Sequence, residues 1–202
     1  KVRIDKVKIL FLTFLFSVCL SENFDKCIWI KADSMAKKES IDNALTFAYE
    51  YGFDKVFLQV RFRGDAYYLS GLVDKSNLIE DDLDPLGYAV ELGHSLGLEV
   101  HAWVNTYILW SSSNKPKNSN HLYYTHPDWM EVNIHGKSDS NINIDMPQSL
   151  NWEGIFLSPN HPQVNNYLSS VFSELIDSYD IDGLHFDYIR FQDDIYGYNK
   201  VG

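Results

Sequence analysis

The sequence predicts an α/β protein, a (β/α)8 TIM barrel of which this chain holds the N-terminal part, about four strands. Three observations carry that expectation. Short apolar strands alternate with amphipathic helical stretches, the pattern of a parallel sheet with helical crossovers. Polar side chains collect at the C-terminal ends of the second, third and fourth strands, where a barrel keeps its site. No G-x-G-x-x-G turn follows any strand, which weighs against the competing architecture, an open doubly wound sheet that binds a dinucleotide. A complete barrel needs about 250 residues, and the 202 residues here end soon after the fourth strand.

Each element has a local reason. The first strand is CIWIKA, residues 27–32. Ile41, Ala44, Leu45, Ala48 and Tyr49 then fall on one stripe, which predicts a helix over residues 40–51. Gly52 stands where a left-handed C-terminal cap is wanted. The second strand is KVFLQVRF, residues 55–62. Asp84 can cap the next helix and Pro85 suits its first turn. Leu86, Ala89, Val90 and Gly93 face inward there, and Gly97 stops it. The third strand is LEVHAWVN, residues 98–105, and a polar excursion rich in Asn, Ser and aromatics runs over residues 106–160. A helix follows, with Pro162 near its start and Val164, Tyr167, Leu168, Val171, Phe172, Leu175 and Ile176 marking its buried face. The fourth strand lies in IDGLHFDYIR, residues 181–190.

Composition narrows the function. The chain is 45% hydrophobic and 15% aromatic, enough for one substantial core. Its 28 acids against 17 Lys and Arg give a formal net charge of −11, so nucleic acid is not an expected partner, because phosphate binding needs a basic face. Lys1, Arg3, Lys6 and Lys8 precede the apolar run ILFLTFLFSVCL. A basic head and a run too short to span a bilayer read as a secretory signal peptide over residues 1–21. Lipid attachment at Cys19 fits less well, since Phe16 and Val18 suit that signal poorly; a buried N-terminal element is the plain alternative. After cleavage only Cys27 remains, so no internal disulfide can form. Export without disulfides suits a Gram-negative periplasm or cell envelope. No cofactor and no stable protein partner is expected.

Strand side chains alternate, so parity decides who shares a face. His185 and Asp187 oppose Leu184 and Phe186. His101, Trp103 and Asn105 oppose Val100, Ala102 and Val104. Gln59, Arg61 and Arg63 oppose Leu58, Val60 and Phe62. The apolar faces belong against the helices and the polar faces inside the barrel. Asp187 would then stand at the mouth; its plain alternative is an ion pair with Arg61 or Arg63. Asp182, before Gly183, reads as a turn or cap residue. His101 and His185 lack metal-ligand spacing and read as hydrogen-bonding groups. RFRGDAYY, residues 61–68, is either a polar wall around an anionic or hydroxyl-rich ligand or an Arg–Asp bridge that holds its loop. Trp110, Trp129 and Trp152 can either stack on sugar rings or pin the excursion.

The segments VFLQVRFRGDAYYLS, LDPLGYAVELGHSLGLEVHAWVN, HPDWMEVNIHGK and FLSPNHPQVNNYLSSVFSELIDSYDIDGLHFDYIRF together resemble glycosyl-hydrolase-like family ten. These are exported TIM-barrel proteins, including envelope enzymes that cut peptidoglycan glycan strands. The resemblance implies a site at the C-terminal strand ends. By position it points to Arg61, Arg63 and Asp65, to His101, Trp103 and Asn105, and to His185, Asp187 and Tyr188 as substrate-facing residues. Glycoside hydrolysis normally uses two carboxylates flanking the bond. Asp187 is expected to be one, as nucleophile, acid or base, oriented or tuned by Arg63 and His185. The second is expected in later strands, with Glu153 or Asp65 as candidates within the chain. The expected partner is a polysaccharide or a peptidoglycan glycan strand. A non-catalytic glycan-binding barrel and a metal-dependent deacetylase are the rival readings.

Overall fold

A computed structural model describes residues 24–146, 148 and 152–202. The expected signal peptide and the lipid-attachment reading at Cys19 lie outside the described residues. The strands β1 (Cys27–Ile30), β2 (Lys55–Phe62), β4 (Glu99–Asn105) and β7 (Gly183–Asp187) form one sheet in the order β1-β2-β4-β7. All three pairings are parallel. Strand β1 is shorter than expected because Ala32–Met35 closes into a 3-10 turn. A two-residue strand, β3 (Asp65–Ala66), folds back antiparallel on the end of β2.

The crossovers are α1 (Lys38–Glu50), α2 (Pro85–Ser95) and α4 (Pro162–Ser178), with a short α3 (Leu122–Thr125) in the excursion. The Asp84 carboxylate accepts from Gly87 N at 3.2 Å and so satisfies one free amide of α2. Asp182 accepts from Val100 N and from His94 at 2.6 and 2.9 Å, a turn carboxylate that ties the entry of β7 to β4 and α2. Val56, Leu58, Val100, Ala102 and Val104 are fully buried between sheet and helices. Burying each Val or Leu among them contributes roughly 1.5–3 kcal/mol.

Two expected core positions are corrected. Tyr49 is 56% and Ile176 58% exposed. A helix on a sheet buries one stripe. Tyr49 lies about 80° round α1 from Ile41, and Ile176 about 120° round α4 from Val164, so both fall at or past the stripe's edge.

The larger correction is in β2. Gln59 pairs with Trp103, but Arg61 pairs with Val104, so Val60 is an extra residue, a β-bulge. Beyond a bulge the alternation reverses. Arg61, expected on the polar inner face, sits fully buried on the helix side. There its guanidinium donates to the carbonyls of Asn105 and Thr106, beside Tyr68 and Tyr167. Phe62, expected on the apolar face, comes to the inner side instead.

The excursion folds into a second core. Strands β5 (Ile108–Trp110) and β6 (Ile155–Phe156) pair antiparallel. Leu109, Met130, Ile144 and Leu157 are buried around them. Helix α4 serves both cores: Val164 and Leu168 pack into the excursion, Val171 and Leu175 against the sheet.

Candidate active site

The inner face of the sheet is built in rows set by register. Above the entry row of Cys27, Lys55 and Glu99, the residues Trp29, Phe57, His101 and Gly183 lie side by side. Trp29 stacks on Phe57 with ring centroids 4.8 Å apart. A Cβ on Gly183 would lie 2.5 Å from His101 Nδ1, so glycine is what lets that imidazole cross the strand. The next row is Gln59, Trp103 and His185, and the top row is Asn105 and Asp187. His185 is enclosed by aromatic rings, with Trp29 Nε1 donating to its Nε2 at 3.3 Å and the edges of Phe57 and Trp103 nearby. His101 meets Phe57 and bonds Glu99 at 3.3 Å. Both histidines therefore floor the cup.

Above them opens a cavity of about 290 Å³, lined by Lys31, Asp33, Gln59, Phe62, Trp103, Asn105, Asp187 and Tyr188. Asp187 stands at the tip of β7. Its Oδ1 accepts from Tyr188 N at 2.7 Å and its Oδ2 from Trp103 Nε1 at 3.1 Å. One N–H on each oxygen sets the plane of the carboxylate and leaves each oxygen further lone-pair capacity. Among the described residues no cation pairs with Asp187. The orienting groups are Trp103 and the Tyr188 amide, in place of the expected Arg63 and His185. The ion-pair alternative with Arg61 or Arg63 is likewise absent there.

Tyr188 holds φ at 51°, a left-handed backbone unusual for a bulky residue. Beside it, Ala32 N donates to Gln59 Oε1 at 3.1 Å and Gln59 Nε2 donates to Asn105 Oδ1 at 3.2 Å. This amide chain ties three strand ends together under the cavity.

The remaining expected residues separate. Arg63 and Asp65 face a neighbouring cavity, across the β2–β3 turn. Burial pushes the Asp65 carboxyl up to about 6, with Asp74 adding to the effect and Arg61 and Arg63 opposing it. Glu153, a candidate second acid, pairs with Arg190 at 2.6 Å and does not line the cup. Trp129 is 7% exposed and packs between His126, His161 and Tyr167, so it pins the excursion. Trp110, also 7% exposed, is buried in the excursion core while lining the second cavity.

Lys31, Asp33, Gln59 and Phe62 were not among the expected site residues. A signal for two of them existed: parity already turned Gln59 inward, and the parity of Trp29 continues to Lys31, whereas Asp33 lies in the 3-10 turn, where strand alternation no longer holds. The bulge that delivers Phe62 had none. Among the described residues, no cluster of three or more His, Cys, Asp or Glu is spaced to hold a metal ion.

The family profile described as Glycosyl hydrolase-like 10 matches residues 15–202. Glycosyl hydrolase DigH of Escherichia coli (strain K12) is 24% identical over 168 residues, covering 75% of this chain and 34% of its own length. Glycosyl hydrolase YngK of Bacillus subtilis (strain 168) is 26% identical over 159 residues, covering 75% and 28%. The chain thus spans about a third of the length of the curated relatives it matches. Among solved structures, a hypothetical protein from Ruminiclostridium thermocellum superposes with a TM-score of 0.61 at 14% identity, over 87% of this chain and 83% of that one. A putative alpha amylase from Salmonella typhimurium gives 0.50 at 15%, over 84% and 27%. At such identities the likeness shows a shared fold, the α/β arrangement of TIM-barrel glycoside hydrolases.

Proposed function

The chain belongs to the glycosyl hydrolase-like 10 family, and from that premise we propose that it is a glycoside hydrolase in which Asp187 is one of the two working carboxylates. The observation that carries this reading is the setting of Asp187: a strand-end carboxylate in an open cup, oriented by two N–H donors. Such a group can attack an anomeric carbon, or take a proton from water that does so. Asp33 is the other carboxylate of the same cup, which makes it the within-chain candidate for the partner role. Lys31, Gln59 and Asn105 supply donors for sugar hydroxyls, and Phe62, Trp103 and Tyr188 supply ring faces for the apolar side of a sugar. The substrate proposed is a polysaccharide, peptidoglycan glycan strands among them. The basic head and apolar run of residues 1–21 favour an exported protein that meets such strands in the cell envelope.

The test is release of reducing ends from glycan strands by the full-length protein. Asp187→Asn is expected to lower turnover by about 10³-fold or more with an unchanged melting temperature. Asp33→Asn is expected to act in the same direction. Near wild-type cleavage by a folded Asp187→Asn protein would sink the assignment. Retained glycan binding with no cleavage by the wild type would identify a binding protein instead.

A further inference from the structure

The second cavity is distinct from the cup but shares Phe62 with it as a wall. Its volume is about 220 Å³. Three segments build it: the β2–β3 turn, the 75–78 turn and the start of the excursion at 110–118. Four cations line it, Arg63, Lys75, Lys115 and Lys117, in a chain whose formal net charge is −11. Against them stands one carboxylate, Asp65.

The charges are unequally used. Lys115 pairs with Asp145 at 3.2 Å, and Lys75 donates to the Glu80 carbonyl at 3.4 Å. Arg63 donates through Nε to Ser111 Oγ at 3.1 Å and through Nη2 to the Ser111 carbonyl at 3.4 Å. Its guanidinium lies 4.8 Å from the centre of the Phe62 ring. Among the described residues neither Arg63 nor Lys117 has a carboxylate partner. Arg63 also holds φ at 56°, in a Phe62–Arg63–Gly64–Asp65 turn where Gly64 takes 72°. Both central positions of such a hairpin turn need left-handed backbone, and Asn, Asp or Gly are the usual choices for the first. An arginine there carries a conformational cost, and the turn directs its guanidinium to this cavity.

We propose that this cavity is a subsite for a carboxylate-bearing sugar, lying beside the catalytic cup on the same glycan. The inference rests on the glycan reading of the cup. Arg63 and Lys117 would bind the carboxylate of the sugar, the planar guanidinium as a fork and the ammonium as a point charge. Trp110 and the side chains of Ser112 and Asn118 would meet the ring and its hydroxyls. A uronate and a lactyl-ether sugar present the same carboxylate chemistry to these groups.

Binding to the full-length protein by calorimetry, at about 50 mM salt to limit screening, tests this with three probes. They are the neutral N-acetylchitohexaose, a hyaluronan hexasaccharide, and a peptide-free glycan hexasaccharide carrying muramic lactyl groups. At least one acidic probe is expected to bind about tenfold tighter than the neutral one, and which of them does so identifies the carboxylate's source. The preference is expected to fall below about threefold in Arg63→Gln, and also in Lys117→Gln, whose exposed site makes misfolding an unsuitable explanation. Equal affinity for neutral and acidic probes, or a preference unchanged in both variants, overturns the subsite and leaves the glycan reading standing. Absence of binding to all three overturns both together.

Discussion

The sheet and the excursion each bury a core, and the two differ in kind. Beneath α1 and α2 the sheet core is aliphatic: Val56, Leu58, Val100, Ala102 and Val104 show no exposed surface. The excursion core mixes Trp129, Met130 and Ile155 with ionisable groups, and Glu131 and Asp139 are 0% and 1% exposed. Both acids hold the chain just after the site. Gln192 N donates to Glu131 at 3.2 Å, while Gln192 Nε2 and Phe156 N donate to Asp139 at 3.1 and 3.0 Å. Burial pushes Glu131 up to about 8, with nearby Asp139 adding to it, and pushes Asp139 up to about 6. The comparison teaches that one region is held chiefly by apolar area removed from water. The other is held in part by buried carboxyls whose proton affinity burial raises, and it is the one that braces the segment after Tyr188.

The contrast breaks most visibly at Leu58. Leu58→Ala is expected to cost about 3 kcal/mol of global stability, read by denaturant unfolding, with little change in its pH dependence. Leu168→Ala, on the excursion half of α4, is expected to cost roughly 2 kcal/mol. Its signature is local: faster amide exchange at residues 108–110 and 155–157 than in β2 or β4. A loss spread evenly over both cores would deny that they are separable.

The pH contrast can be sharpened with Glu131→Gln. A raised carboxyl pKa means that the fold binds more protons than the unfolded chain, so stability falls as pH rises. The contribution of Glu131 is complete below its ordinary value of 4.5 and is lost as pH climbs toward about 8; that of Asp139 is lost between 3.8 and about 6. The melting temperature of the wild type is expected to drop by roughly 5 °C from pH 5 to pH 8. In Glu131→Gln the slope above pH 6 is expected to flatten while the part below it persists. A wild-type profile level across that range would refute the claim.

The smallest effect belongs to the cup, where the two regions meet through the Tyr188 and Phe156 rings, 5.9 Å apart. Trp103→Phe keeps the ring but removes the donor to Asp187 Oδ2. Turnover is expected to fall about tenfold, some 1.4 kcal/mol, with KM and stability nearly unchanged. A loss in stability without a loss in turnover would make Trp103 a packing residue only.

Much of this was legible in the residues. The strands, the three crossover helices and the inward rows of β4 and β7 follow from periods of two and 3.6, which are properties of a local stretch. Asp187 and Asn105 reached the cup for that reason, as did Trp103. Arg61 did not, because its side was decided by how many residues of β2 face each residue of β4. The tryptophans of the excursion could not be assigned either, since stacking on a sugar and packing in a core ask for the same side chain.

The order of amino acids alone therefore settled the four parallel strands and the three crossover helices, and which end of each of those strands is polar, because those choices depend on near neighbours. Tertiary structure alone decided the bulge at Val60, the second core, and the gathering of Asp33 with Asp187 around one opening. Each of these depends on pairing between segments far apart in the chain, which no local period encodes.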